Sequence, residues 1–354
     1  MSSVNQTDNS ALLKRVTYLL GAGASADALP TIKDMGNEVK AIIARLLVAN
    51  DEFSKENNPA ATERIKTAIY DLRILADACE NHTSIDTYAR MLYVNKQDAK
   101  YKKIKNIIIL FFELYYYYHR KIDKRYDSFF AHYLNREHPR FPKHVNVISW
   151  NYDYEFEKAF SKYYILDKAL EEIYSELIVH HKGLHKKPLD FENFNLVKLN
   201  GTVGYRYLGD TILLGICNYY YKSQQDKDMN YAIVCPTIAK HANLEAQYEP
   251  LISFAWEDEA SANDTINKAV EIMKTTAILV VVGYSFPEFN RVFDSMLLNE
   301  NATQRIQKIY VQDNDPHAII DKIKEYRFSW DDVEFIPVIY TAKFYIPHQL
   351  SYNS

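Results

Sequence analysis

Cysteine is scarce in this sequence: Cys79, Cys217 and Cys235 are the three among 354 residues, and none forms a C-x-x-C pair. That count excludes a four-cysteine zinc module, supplies no disulfide framework and points to a reducing compartment. Long apolar runs are lacking as well. The nearest approach, Ile104 to Tyr118, is interrupted by Lys105, Asn106 and Glu113, which makes it too short and too polar to cross a bilayer. The opening residues, Met1-Ser-Ser-Val-Asn-Gln-Thr-Asp8, carry no apolar signal core. A cytoplasmic protein without membrane contact is therefore expected. Nor is there an excess of basic charge, since 42 Lys and Arg face 46 Asp and Glu for a formal net charge of −4. Without a global basic field, direct sequence-specific binding of nucleic acid is not expected.

What is present reads as a soluble α/β protein. Short apolar runs recur at Val16–Leu20, Val145–Ser149, Leu196–Leu199, Thr211–Leu214, Ile278–Val282, Ile309–Val311 and Val333–Ile336. Several do not alternate, as expected for parallel strands covered on both faces. Helical stretches such as Glu155–Tyr164, Ala262–Lys274 and His317–Tyr326 separate them. This alternation predicts a Rossmann-like, doubly wound, mainly parallel sheet. Residues 36–134 break the rhythm with long helical patterns and almost no strand signal, and predict a large all-helical insertion into that core. Within it, Tyr115-Tyr-Tyr-Tyr118 faces too many directions on a helix to form one stacking platform, so packing between helices is expected. The lysine clusters at 102–105 and 121–124 read as solvated faces, and the stretch His180-His-Lys-Gly-Leu-His-Lys-Lys187 as an exposed loop.

Glycine is sparse too, at nine residues, and two of them fall directly after the first apolar run. Gly21-Ala22-Gly23-Ala24-Ser25-Ala26 has the spacing of a dinucleotide fingerprint. In that reading Gly21 permits the strand-to-helix turn, Gly23 admits a phosphate, and the following helix aims its N–H groups at the anion. Three further strand ends carry polar residues: Ser149-Trp-Asn-Tyr-Asp153, Asn200-Gly-Thr202 and Gly283-Tyr-Ser-Phe-Pro287. In open α/β sheets ligands bind outside the carboxyl ends of the strands, so all four clusters should gather around one crevice. A fifth strand end, Gln312-Asp-Asn-Asp-Pro316, adds Asp313 as an acceptor for ribose hydroxyls.

The ordered set Gly21–Ser25, Ser149–Asp153, Lys198-Leu-Asn-Gly-Thr202 and Gly283–Pro287 resembles the SIR2 family, specifically the divergent SIR2-like domains of prokaryotic defence proteins. The resemblance covers about Val16 to Pro316 and implies that residues 1–354 form a single SIR2-like domain. It implies a phosphate loop at Gly21, Ala22, Gly23, Ala24 and Ser25. An Asn-x-Asp motif, Asn151 and Asp153, would lie at the nicotinamide-ribose end, and a loop at Gly283, Tyr284 and Ser285 near the adenosine half. Gly201 and Thr202 follow the position where the family usually carries its catalytic histidine, and this chain has Asn200 there. The missing zinc module argues against deacylation of acyl-lysine and toward cleavage or binding of NAD+, with no metal.

An amide cannot serve as a base, but it can orient a water or a ribose hydroxyl. Nicotinamide leaves as a neutral molecule from a cationic precursor, so its departure needs no acid. The oxocarbenium-like transition state calls for nearby negative charge and an oriented water. Asn151 and Asn200 as orienting groups, with Asp153 as the charge stabiliser, form the expected catalytic set. The resemblance thus implies an NAD+ glycohydrolase that releases nicotinamide and ADP-ribose as the effector of an antiphage defence or toxin system. A catalytically weak module that binds NAD or ADP-ribose and controls assembly with a defence partner is the alternative. A Rossmann dehydrogenase loses ground because no acidic residue stands about 20 positions after the glycine loop. Asn151 and Asp153 also have a purely structural reading as helix caps. By resemblance, the expected partners are NAD+, further copies of the chain, and a HerA-type ATPase or an Argonaute-like protein. The aromatic-rich insertion is the expected assembly face.

Overall fold

The computed structural model describes residues 14–55, 59–119, 121–134, 141–163, 173, 175–181, 188–208, 211–214, 249–257 and 264–348. The predicted α/β core is present. Strand β1 (Val16–Leu20) leads into five helices, α1 (Ile32–Lys55), α2 (Pro59–Asn81), α3 (Ile85–Val94), α4 (Asp98–His119) and α5 (Lys124–Tyr133). Strand β2 (Val145–Ser149) and helix α6 (Glu155–Ser161) follow, then β3 (Val179–His181), β4 (Asn195–Lys198), β5 (Gly201–Leu208), β6 (Thr211–Leu214) and β7 (Glu249–Ile252). The last part of the chain alternates β8 (Ile278–Val282), β9 (Lys308–Gln312) and β10 (Glu334–Val338) with the helices Asp264–Thr275, Arg291–Leu298 and Pro316–Lys324.

Seven strands form one parallel sheet in the order β10-β9-β8-β1-β2-β4-β3. The chain leaves central β1 toward β2 on one side and later returns to β8 on the other, so the order reverses at β1. Helices cover both faces. Val16, Tyr18 and Leu20 share a core with α1–α5, while Leu19 shares a second core with the helices Asp264–Thr275, Arg291–Leu298 and Pro316–Lys324. Every residue of β1, β2 and β8 is buried for that reason, which explains their unalternated sequences. Pro337 in β10 lacks an N–H and is tolerated because β10 is an edge strand.

Several expectations change. The run Thr211–Leu214 is a strand, but it belongs to a separate three-stranded antiparallel sheet, β6-β5-β7. His180 and His181 are not in an exposed loop. Both are buried in β3, where His180 Nε2 lies 3.1 Å from Asn195 Oδ1. The rest of that stretch, 182–187, lies outside the described residues, as do Cys217, Cys235 and His241. Lys105 is not solvated either. Its ammonium lies 2.6 Å from the Glu257 carboxylate and 4.6 Å from the centre of the Tyr101 ring. Tyr115, Tyr116 and Tyr117 are buried because α4 runs through the middle of the helical layer. This bears out packing over stacking and removes these tyrosines from any assembly face. Among the described residues, no helix is long and apolar enough to cross a membrane.

Candidate functional site

Parallel pairing sends the carboxyl ends of β1, β2, β4 and β8 to one edge of the sheet. A cavity of about 180 Å³ opens there. The loop after β1 contributes Ala22 and Ser25, the loop after β2 Asn151 and Asp153, the loop after β4 Asn200, and the loop after β8 Gly283, Tyr284 and Ser285. The sequence clusters therefore converge at the point where the strand order reverses. Gly21, Gly23, Ala24, Gly201 and Thr202 are not part of this lining. Asp313 is not part of the lining, and its carboxylate accepts the Asp315 N–H at 3.1 Å.

The glycine loop differs from the phosphate-cradle expectation. Gly21 N–H donates to Val282 O at 3.0 Å and Gly23 N–H to Gly283 O at 2.9 Å. A Cβ on Gly23 would lie 2.7 Å from Gly283 Cα, and one on Gly21 2.5 Å from Tyr284 Cα. These glycines let the loops after β1 and β8 press backbone against backbone. Gly283 itself has φ +57°, which a residue with a Cβ adopts only at a cost. No α-helix starts at the loop. A single 3-10 turn, Ala22–Ser25, follows, and α1 begins beyond Pro30 at Ile32.

Asn151 is fixed from two sides. Its amide nitrogen donates to Gly21 O at 2.9 Å and reaches Ser25 Oγ at 3.5 Å, while its backbone N–H donates to Ser149 Oγ. Asp153 both caps and lines. One carboxylate oxygen accepts Glu155 N–H at 2.9 Å at the start of α6, and the residue faces the cavity. Burial raises the Asp153 carboxyl above the usual carboxylate range, against the opposing pull of the Lys198 charge and the Glu155 N–H. Lys198, almost wholly buried on β4, donates to the Asp153 carbonyl and pairs with Glu157 at 2.7 Å. The Asn200 amide donates to Trp150 O at 2.9 Å. The Trp150 and Tyr284 rings stack 5.5 Å apart, and the Tyr284 hydroxyl donates to buried Asp294.

Two charged residues at this site had no role in the sequence reading, although Lys198 stood in one of its motifs. Lys198 could have been found as a charged residue ending an apolar strand. Asp86, in the first turn of α3, enters the cavity wall from the helical insertion with Met35 and Phe112. No motif marks it. Burial alone raises its carboxyl to about 6, and its fully covered Oδ1 has no hydrogen-bond partner among the described residues.

The described lining thus holds two carboxylates, two side-chain amides from the strand ends, and aromatic walls, but no Lys, Arg or His. Such a cavity stabilises positive charge and repels phosphate. Among the described residues there is also no group of three His, Cys, Asp or Glu placed to hold a metal. Compared with known protein families and with curated proteins, the chain matches none.

Proposed function

We propose that the cavity receives the nicotinamide-ribose half of NAD+ and that the chain hydrolyses the bond between them, as a SIR2-like NAD+ glycohydrolase. The observation that carries this reading is the convergence of Asn151, Asp153 and Asn200 on a cavity whose described lining holds no Lys, Arg or His, the nearby Lys198 being turned to the Asp153 carbonyl and Glu157 behind it. The pyridinium of NAD+ and the oxocarbenium-like sugar of the transition state both carry positive charge, which a carboxylate in the lining such as Asp153 would stabilise. Asn151 and Asn200 present amides that position a ribose hydroxyl or a water. In a cell this activity would deplete NAD+, as a defence or toxin effector does.

A specific observation favours the second reading, a binding module. Both amide nitrogens are already committed to backbone carbonyls, at Gly21 and Trp150, and neither can take a proton. Nicotinamide release by the purified chain, measured beside Asn151→Ala and Asn200→His, separates the two. Turnover that disappears in Asn151→Ala supports the hydrolase. No turnover in the native chain, with ADP-ribose still bound and activity gained in Asn200→His, supports the module. Neither turnover nor ADP-ribose binding in any of the three refutes both.

A further inference from the structure

We infer that Asp86, delivered by the helical insertion, is the general base of the proposed hydrolysis and takes the proton that neither asparagine can accept. The inference rests on the NAD+ hydrolase reading of the same cavity. Three observations carry it. First, Asp86 lines the same cavity as the strand ends, although it lies more than 60 residues from any of the motifs. Second, no described residue bonds its covered Oδ1, a condition it shares with Glu155 Oε1 and Glu157 Oε2, but of these three only Asp86 lines the cavity. Third, the other carboxylate of the lining is occupied. Asp153 accepts the Glu155 N–H and feels the Lys198 charge.

The remaining candidates are poorer. Asn151 and Asn200 have no basic atom at physiological pH, and the Tyr284 hydroxyl is engaged with Asp294. A titratable group that feels Asp86 is Tyr152 from the loop after β2, which also feels Asp153 and Cys79. Asp86, Asp153 and Cys79 all push the buried Tyr152 hydroxyl further up. Among the described residues no cation pairs with the Asp86 carboxylate, and the guanidinium of Arg90, one turn further along α3, lies over the Trp256 ring. A carboxyl titrating near 6 is also ionised at neutral pH while remaining basic enough to accept a proton.

In the step, the oxygen of water bonds to C1′ of the ribose as the bond from C1′ to the pyridinium nitrogen breaks. The electron pair of that bond leaves with neutral nicotinamide. The proton lost by the water passes to Asp86 and then to solvent, so NAD+ and water become nicotinamide, ADP-ribose and a proton.

The test is steady-state nicotinamide release against pH for the native chain, Asp86→Asn and Asp86→Glu, with ADP-ribose affinity and melting temperature measured on each. Asp86→Asn is expected to lose about 100-fold or more in kcat, the order general bases contribute. It should keep ADP-ribose affinity within about threefold and melt no lower than the native chain, because the uncompensated carboxylate is gone. The native fall in kcat at acid pH should vanish from its residual rate, and Asp86→Glu should recover part of the loss. If the native chain turns over and Asp86→Asn matches it with the same acidic limb, Asp86 is not the base, although the hydrolase stands. If the native chain releases no nicotinamide, the hydrolase reading fails and this inference fails with it.

Discussion

Removing the Lys198 charge is the most direct way to probe how the loop after β2 is held. Lys198 is 2% exposed, and its ammonium bridges the Asp153 carbonyl and the Glu157 carboxylate, itself fully buried. Lys198→Met keeps the length and apolar volume of the stem and deletes only the charge. Glu157 then remains buried without its cation, which costs about 3–5 kcal/mol. The Asp153 carbonyl loses a donor, at a further cost of about 1 kcal/mol. Against a typical total of about 5–15 kcal/mol, this is a large fraction.

With about 2.1 cal/mol/K of unfolding entropy per residue over 354 residues, about 4 kcal/mol lowers the melting temperature by roughly 5 °C. Chemical denaturation of the single variants and of the double variant Lys198→Met/Glu157→Leu measures the coupling. The double variant is expected to recover all but about 1–2 kcal/mol, since an apolar pair of similar volume often replaces a buried ion pair at little cost. If Lys198→Met costs less than about 1 kcal/mol, or if the second substitution restores nothing, the bridge does not hold the loop and the argument fails.

Two further outcomes follow from the same geometry. Gly23→Ala and Gly283→Ala should each cost about 1–3 kcal/mol by overpacking, since the new Cβ atoms would fall 2.7 Å from Gly283 Cα and 2.5 Å from Gly23 Cα respectively. Gly283→Ala should cost about 1 kcal/mol more for its left-handed backbone. A Gly23→Ala chain of native stability in urea that has lost only ADP-ribose affinity would restore the phosphate-loop explanation of that glycine. Burial raises the Glu155 carboxyl from 4.5 to about 7, partly offset by Lys158. The folded chain therefore holds a proton there that the unfolded chain has released, and stability should fall as pH rises from about 4.5 to 7, by roughly 3 kcal/mol from this group. Glu155→Gln should remove that part of the slope in denaturation curves between pH 4 and 8. An unchanged slope would contradict the assignment.

How much of this was legible in the sequence depends on whether a residue's partners are local. Strands β1, β2 and β8 could be read directly because the sheet buries both their faces, and burial of that kind writes itself as an unbroken apolar run. Strand β3 could not. It has three residues, two of them histidines, and although it is an edge strand beside β4 all three are buried, which nothing in so short a polar run announces. The two glycines after β1 were visible, but their purpose was not. The backbone they accommodate belongs to a loop some 260 residues away, so a phosphate and a neighbouring loop ask for the same glycine.

The site divides in the same way. Residues at strand ends are gathered by the topology of the sheet alone, so Asn151, Asp153 and Asn200 could be placed together before any coordinates. Asp86 is positioned by how a five-helix layer packs back over the sheet edge, and no spacing within the chain encodes that meeting. An insertion that only thickened the helical layer would have no reason to place a carboxylate in the cavity wall with no cation paired to it among the described residues. Burying such a group costs stability, and the strand-end motifs it faces supply no free base. The cost is explained if the cavity holds, in use, a positively charged ligand that the carboxylate meets.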